Sequence, residues 1–594
     1  VTDPFDRDLP SPIAPLLALR ASARDAVVGT EATALQDRMF VPTGLEDRIL
    51  ELAASDPAPA LIVLSGSAGG GKSASIAWLR KAAPSAFGAV LEDATHADTP
   101  GEDQIEALVR FFEPLADDAP PYGQPPMLAA MNTGMAVVFF DRLAARGVAR
   151  FGRLRSEILG QLEIGEPRAA EAGGIRPVVV VNLDVRRTTG GPDSLFAAML
   201  GRLDPDLESG ILAGSVRCAT CEVRASCFVR ANAEMASAEP VRGVLDSMAD
   251  EVALDRGRPL QPRWLWDLAS DLVTAGQTFP DDPCDLIAEI ARRGDRQAVW
   301  DGLIWNGAFT APRGPASGDL SEIDPSFDPS GEAHAVITRA GISGERDAAG
   351  LVGRFGAGRS AACVGTAASA LRDGAPDRSE TDRAIIARGL VRASVLAGEI
   401  PFARDEGTFE RALEEYGAPA GGPDENLEAL VRLLAEALAR AFGEVDGADT
   451  YFRAERLESQ RHGEVLVRAE FSGASSLVDL VPDPAPAASP AGSAVAGHRP
   501  LSIVLSVAGV RLAVDRPLYR LLESTASGTL PSTADLERFY ALRRAAEALG
   551  RRAAQSSDVP LIIRDRQTGR RYRLSRDRDL RHREQVSLRA LGRG

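Results

Sequence analysis

The chain has 594 residues, 45% hydrophobic and 25% charged, which is too long for one core and implies several domains. Its net charge of -17 argues against a protein that coats nucleic acid by charge alone, and five cysteines are too few for a secreted disulfide scaffold. No run of about 18 apolar residues announces a membrane span, and the opening Val1-Thr-Asp-Pro-Phe-Asp has no signal-peptide character, so no membrane association and a cytoplasmic location are expected.

Residues 1–58 read as a helical lead-in, with Leu45, Ile49 and Leu52 on one face and Asp56-Pro-Ala-Pro ending it. Leu61-Ile-Val-Leu64 then reads as a buried parallel strand, opening a core expected over 59–234. It leads into Gly66-Ser67-Ala68-Gly69-Gly70-Gly71-Lys72-Ser73, a full phosphate-loop pattern. Glycines let successive backbone N–H groups turn inward around phosphate oxygens, Lys72 can reach the β- and γ-phosphates of ATP, and Ser73 can coordinate Mg²⁺. The helix that follows would present its N-terminus to the anion. Of 67 basic residues only Lys72 and Lys81 are lysines, so a compact point charge at position 72 stands out.

Phe87–His96 is expected as a second strand with acids at its carboxyl end, the edge where ligands sit in a parallel sheet. Glu92 or Asp93 could orient Mg²⁺ or water there; the competing reading is an ordinary strand with Asp93 capping the next turn. Met127–Met131 is a further strand, and Asn132 at its tip could hold the attacking water or sense the γ-phosphate, against a purely structural Asx turn before Gly134. Pro177–Val181 is the clearest buried strand. Beyond it, Asp184 is another candidate for Mg²⁺ or water, and Arg186 or Arg187 could reach a γ-phosphate, the alternative being an arginine–carboxylate pair that fixes the loop.

Cys218-x2-Cys221-x5-Cys227 forms an excursion at 218–227 whose thiols can converge on one soft metal, with Cys284 the obvious remote fourth ligand and Cys363 a poorer one. Zn²⁺ fits such a knuckle better than an iron–sulfur cluster, which is chemically allowed; unligated thiols in a loop are the plain alternative. Residues 235–310 read as a helical lid in which Arg263, near a helix start, is a γ-phosphate sensor candidate and Trp264 and Trp266 pack the lid core. A linker at 311–343 and a helical region at 344–449 follow. From 450 to 594 the pattern is a small α+β domain, with strands at Val465–Phe471, Leu501–Val514, Pro560–Arg564 and Arg571–Leu574. Residues 551–594 hold 13 arginines against 5 acids, a basic tail that could meet double-stranded DNA or an acidic partner, although such a face is more often solvation.

The order of these motifs, from the phosphate loop through Glu-Asp-Ala-Thr-His, Asn-x-Gly and Val-Asn-Leu-Asp-x-Arg to the cysteines, Asn232, Pro-Arg-Trp-Leu-x-Asp and Trp305-Asn306-x-x-Phe309, resembles the ATP-binding subunits of bacterial anti-phage systems, in particular the F component of phosphorothioation-dependent restriction. The resemblance covers roughly residues 40–310. It implies an α/β P-loop NTPase core of the AAA+ kind, acting with helicase or nuclease subunits on phage DNA, with Lys72 and Ser73 in the phosphate and Mg²⁺ roles and Asn132 as sensor. The expected function is therefore an ATPase in a multi-protein restriction complex, with self-association open; the alternative is a nucleotide-binding regulator or scaffold that barely hydrolyses.

Overall fold

The computed structural model describes residues 13–18, 34–94, 103–162, 176–190, 194–212, 216–276, 283–310, 315–327, 330–372, 378–402, 407–417, 425–446, 449–453, 463–469, 478–480, 501–555, 561–565, 570–578 and 584–593. The chain divides into two compact units, one of residues 1–253, 258–404 and 488–498, the other of 254–257, 405–487 and 499–594.

The first unit is α/β. Strands β1 (Leu61–Ser65), β2 (Val90–Leu91), β3 (Met127–Met131) and β4 (Val178–Asn182) form one parallel sheet in the order β2-β3-β1-β4. Alternation along each strand divides its side chains between two cores. Leu61, Val63, Met127, Ala129, Val178 and Val180 pack with helices Gln104–Phe112, Thr133–Ala145 and Gly152–Gln161. Ile62, Leu64, Leu128, Ala130, Val179 and Val181 pack on the other face with helices Leu45–Ala53 and Lys72–Ala82. Leu61 to Leu64 are 0–1% exposed, so each contributes about 1.5–3 kcal/mol of burial, and two covered faces explain why β1 and β4 are continuous apolar runs.

Register decides what reaches the sheet's edge. Ser65 is level with both Met131 and Asn182, so the chain leaves β1, β3 and β4 at one height, at Gly66, Asn132 and Leu183. Strand β2 is only two residues long, and Leu91 pairs with Ala129, which brings Glu92 and Asp93 beside the end of β3.

The rest of the first unit is helical among the described residues, and none of its helices is long and apolar enough to cross a membrane. Asn232, fully buried, ties three elements by donating to the Val273 and Gly302 carbonyls and accepting from the Ile304 N–H. The stretch 311–343, expected as a linker from its Pro, Gly, Ser and Asp content, instead carries helices Pro315–Glu322 and Gly331–Arg339. The reason lies in long-range partners that composition cannot report. Leu320 is fully buried, and Asp324 accepts from both Nε (2.9 Å) and Nη2 (2.5 Å) of buried Arg392.

The second unit is α+β and its main stretch starts at Asp405, so helices Thr408–Gly417 and Glu425–Phe442 group with the strands and not with the helical region expected over 344–449. Strands β5 (Gly443–Asp446), β6 (Asp449–Arg453) and β7 (Gly463–Ala469) join β11 (Leu561–Asp565), β12 (Arg570–Arg578) and β13 (Glu584–Arg593) in an antiparallel sheet ordered β13-β12-β11-β7-β6-β5. A second antiparallel sheet holds β8 (Val478–Leu480), β9 (Ile503–Val507) and β10 (Val510–Val514). The single strand expected over Leu501–Val514 is a hairpin, turned at Ala508-Gly509 with φ of 52° and 84°. Within this unit Arg516, 1% exposed, donates Nε to Glu410 at 2.7 Å. Most arginine side chains of 551–594, and with them the expected nucleic-acid contact, lie outside the described residues.

Candidate phosphate-binding site

The glycine-rich loop leaves β1 at Gly66 and enters helix Lys72–Ala82 at Lys72. Gly71, at φ 93°, is the residue before the helix and supplies no side-chain cap, so the first N–H groups stay available to an anion. Gly69, at φ 88°, is also required by packing. A Cβ there would lie 3.0 Å from the Gln261 side-chain oxygen and 3.1 Å from the Arg263 Cβ. The start of helix Pro262–Thr274 thus lies against the loop, and the Arg263 N–H donates to the Gly69 carbonyl at 3.3 Å.

Lys72 folds back over the loop, its Nζ donating to the carbonyls of Gly66 (2.7 Å) and Ser67 (2.8 Å). Burial holds its pKa below the usual lysine value, while the carboxylates of Asp184 and Asp93 act against that shift. Asp184 grips the loop itself: it accepts from the Ser67 N–H at 2.8 Å and the Ser67 hydroxyl at 2.9 Å. Its own N–H donates to the Asn182 side chain at 3.0 Å, which shapes the short turn after β4.

A cavity of about 310 Å³ opens beside the loop. Its polar lining includes Ala68–Ser75, Glu92, Asp93, Asn132, Arg186 and Arg263, and its apolar lining Met39, Phe40, Val41, Leu195, Met199 and Trp266. Six of the eight acidic, amide and basic candidates read from the sequence therefore meet in one cavity; Asp184 and Arg187 do not line it. Asp184 lines a smaller pocket with Ser67, Gly70, Leu183, Arg186, Thr188 and Arg258–Pro262, so Arg186 borders both spaces.

The candidates that meet differ in what already holds them. Glu92 is ion-paired with Arg80. Asp93 is exposed and close enough to Lys72 to favour its charged form. The Asn132 side-chain oxygen accepts from the Met135 N–H at 2.6 Å and so caps the following helix, a structural role other than the Asx turn weighed from the sequence, and the residue also lines the cavity. Arg186 is 9% exposed, and burial lowers its pKa against the opposing influence of Glu46. Arg187 turns away from the cavity and makes a two-pronged pair with buried Asp250 on helix Val241–Arg256. Arg187 is thus the arginine that fixes the loop, and Arg186 the one that faces the site.

Glu46 is a residue the sequence reading passed over. It is 1% exposed, accepts from the Ser75 hydroxyl at 2.7 Å and from the Thr43 N–H at 3.1 Å, and lines the cavity near Arg186. Its local signal was the Thr43-x-x-Glu46 spacing of a capping box. The apolar lining was equally invisible, because Phe40 comes from the lead-in and Met199 from the helix after β4; Phe40 stacks on Trp78 at 5.9 Å between ring centroids.

The cysteines come together elsewhere in the same unit. Cys218, Cys221, Cys227 and Cys284 line one pocket, and burial pushes the Cys227 thiol up to about 12, with Cys284, Cys218 and Cys221 adding to the shift. Cys363 lies outside that pocket, its thiol donating to the Ser226 carbonyl at 3.8 Å. Among the described residues no group of three or more His, Cys, Asp or Glu side chains is arranged to hold a single metal ion.

No protein-family model, curated protein or solved structure matches this chain.

Proposed function

We propose that the cavity beside the glycine-rich loop binds Mg²⁺-ATP and that the protein hydrolyses it. The observation that carries this reading is the meeting of Lys72, Ser73, Asp93, Asn132 and Arg186 around one cavity that apolar side chains also line. The loop N–H groups and Lys72 receive the β- and γ-phosphates, and Ser73, at the second position of the helix, is the Mg²⁺ ligand. The apolar lining, with Phe40, Met199 and Trp266, suits a purine ring. Asp93 is the preferred acid for Mg²⁺ or the attacking water, since its carboxylate acts on the Lys72 ammonium. Asn132 positions water through its amide nitrogen while its oxygen caps the helix. Arg186, and Arg263 from the helix above the loop, offset charge on the γ-phosphate in the in-line displacement. The motif order of the sequence supplies the setting: an ATPase subunit of an AAA+-like kind in a bacterial anti-phage restriction complex, working with helicase or nuclease subunits on DNA.

A second reading has its own observation. The loop is satisfied from within, Lys72 on two loop carbonyls and Asp184 on Ser67, which suits a regulator that exchanges these bonds for nucleotide and turns over little. Measuring Mg²⁺-dependent ATP hydrolysis and ATP affinity together for the wild type and Lys72→Ala separates the two. Turnover lost with Lys72→Ala supports the ATPase. Tight binding with negligible turnover, with or without DNA, supports the regulator, and turnover unchanged in Lys72→Ala overturns both.

A further inference from the structure

Three contacts fasten the lead-in to helix Lys72–Ala82, which follows the glycine-rich loop. The buried Glu46 carboxylate accepts from the buried Ser75 hydroxyl at 2.7 Å, and its other oxygen accepts from the Thr43 N–H and hydroxyl at 3.1 and 3.2 Å. Phe40 stacks on Trp78 with 5.9 Å between ring centroids, and Lys81 Nζ reaches Asp37 at 3.0 Å. Ser75, Trp78 and Lys81 stand three residues apart, on one face of the helix. Their partners Glu46, Phe40 and Asp37 follow in reverse chain order. The lead-in therefore runs back along that face, with Glu46 nearest the phosphate loop and the stretch around Asp37 farthest from it.

The same stretch supplies a wall of the cavity through Gln36, Met39, Phe40 and Val41. Three of these are apolar. Gln36 is not, and it is only 8% exposed. Its amide has two donor hydrogens and two acceptor lone pairs, so it can keep a protein partner and still bind a base. One edge of adenine carries the N6 donor beside the N7 acceptor, which an amide meets with one oxygen and one nitrogen. The same edge of guanine carries two acceptors, O6 and N7, which leave the amide oxygen unmatched. The opposite edge of guanine presents N–H donors and suits a carboxylate, and none of these four wall residues has one.

On the nucleotide reading of the cavity given above, we propose that the lead-in is its base-reading wall and that Gln36 selects adenine. Met39, Phe40 and Val41 give the ring apolar contact, and Gln36 gives its edge hydrogen bonds. Glu46 is a positioning residue: through Ser75 it docks the wall on the helix whose N-terminus receives the phosphates. The base and the phosphates are thus held by two segments joined at one buried hydrogen bond.

The test is equilibrium binding of the Mg²⁺ complexes of ATP, GTP and inorganic tripolyphosphate to the full-length protein. Tripolyphosphate has no base and reports on the phosphate loop alone. The wild type should bind ATP at least about 10-fold more tightly than GTP, the discrimination expected of one well-matched amide. Gln36→Ala should abolish most of that preference without changing tripolyphosphate affinity. Gln36→Glu, close in size but with acceptors only, should shift the ratio toward GTP and serves if the alanine variant fails to fold. Ser75→Ala should weaken ATP and GTP together and spare tripolyphosphate. Equal affinities for ATP and GTP in the wild type, or an ATP preference that survives both Gln36 substitutions, overturn the base-reading role while the phosphate site stands. Failure of ATP, GTP and tripolyphosphate alike to bind overturns the nucleotide reading and the base-reading role with it.

Discussion

Asp184 and Ser67 are joined by two hydrogen bonds that hold the first turn of the glycine-rich loop from outside the cavity, one carboxylate oxygen on the Ser67 N–H and the other on its hydroxyl. A carboxylate so engaged shapes the loop, and on the proposed reading the Mg²⁺ acid is Asp93. Asp184→Ala is therefore expected to weaken ATP binding by about 1.5–3 kcal/mol, the worth of hydrogen bonds to a charged group, with a smaller change in kcat at saturating ATP. Asp184→Asn, which keeps one acceptor oxygen, should fall between. Calorimetric ATP titration beside steady-state kinetics reads the split; a collapse of kcat with unchanged affinity would return Asp184 to the chemistry.

The two acids after β2 should behave differently. Glu92 spends its charge on exposed Arg80, so Glu92→Gln should cost no more than about 1 kcal/mol of stability and leave turnover near wild type. Asp93→Asn should reduce kcat by about 100-fold or more while ATP still binds, if this side chain positions the Mg²⁺ or water. Equal losses in the two variants would show that the acids act as a pair.

Lys72 gives the site a pH signature. Burial lowers its pKa from 10.5, and bound phosphate favours the protonated ammonium. In the free protein the proton is lost as pH rises through the lowered value, so ATP affinity should fall in that alkaline window, below the pH at which an ordinary lysine titrates. The matching stability term has the opposite slope. The unfolded chain, with its higher lysine pKa, binds more protons across that window, so this group's contribution to folding stability rises with pH there. Lys72→Arg stays charged and should bind ATP, more weakly, with a flat profile over the same range. Titrations of ATP from neutral pH upward compare the two proteins.

Much of the site's frame was legible because it is local. Leu61–Leu64 and Val178–Val181 are continuous apolar runs, which two buried faces require, and the glycine-lysine sequence between strand and helix has a direct chemical meaning. What could not be read was which side of a strand tip each polar residue faces. Asp184 and Arg186 are two residues apart across a short 3-10 turn at Leu183–Val185, yet Asp184 holds the loop while only Arg186 also reaches the main cavity. Glu46 and Phe40 were missed because their role depends on the lead-in folding beside helix Lys72–Ala82. The Ala508-Gly509 hairpin lacked the usual Asn-Gly signal, since an alanine occupies a left-handed position that favours glycine or asparagine.

The adjacent arginines Arg186 and Arg187 offer the sharpest contrast. Arg187 and Asp250 are 8% and 2% exposed and bind each other through both guanidinium arms, while Asp250 also accepts from the Thr189 hydroxyl at 3.1 Å. Removing one partner strands the other charge in a dry interior, so Arg187→Ala should destabilise the protein by about 3–5 kcal/mol. Replacing both with apolar residues, Arg187→Met with Asp250→Leu, should recover much of that loss, because neither charge then remains unpaired. Arg186 answers to a different demand: buried beside Glu46 and lowered in pKa by that burial, it sits in the cavity wall. Arg186→Ala should therefore lower ATP turnover by more than its effect on stability would explain, and Arg186→Lys should restore the charge but not the planar fork. Denaturant unfolding and ATPase rates measured on the same preparations separate the two arginines; a large stability loss for Arg186→Ala with normal residual turnover in the folded fraction would make Arg186 a second structural arginine.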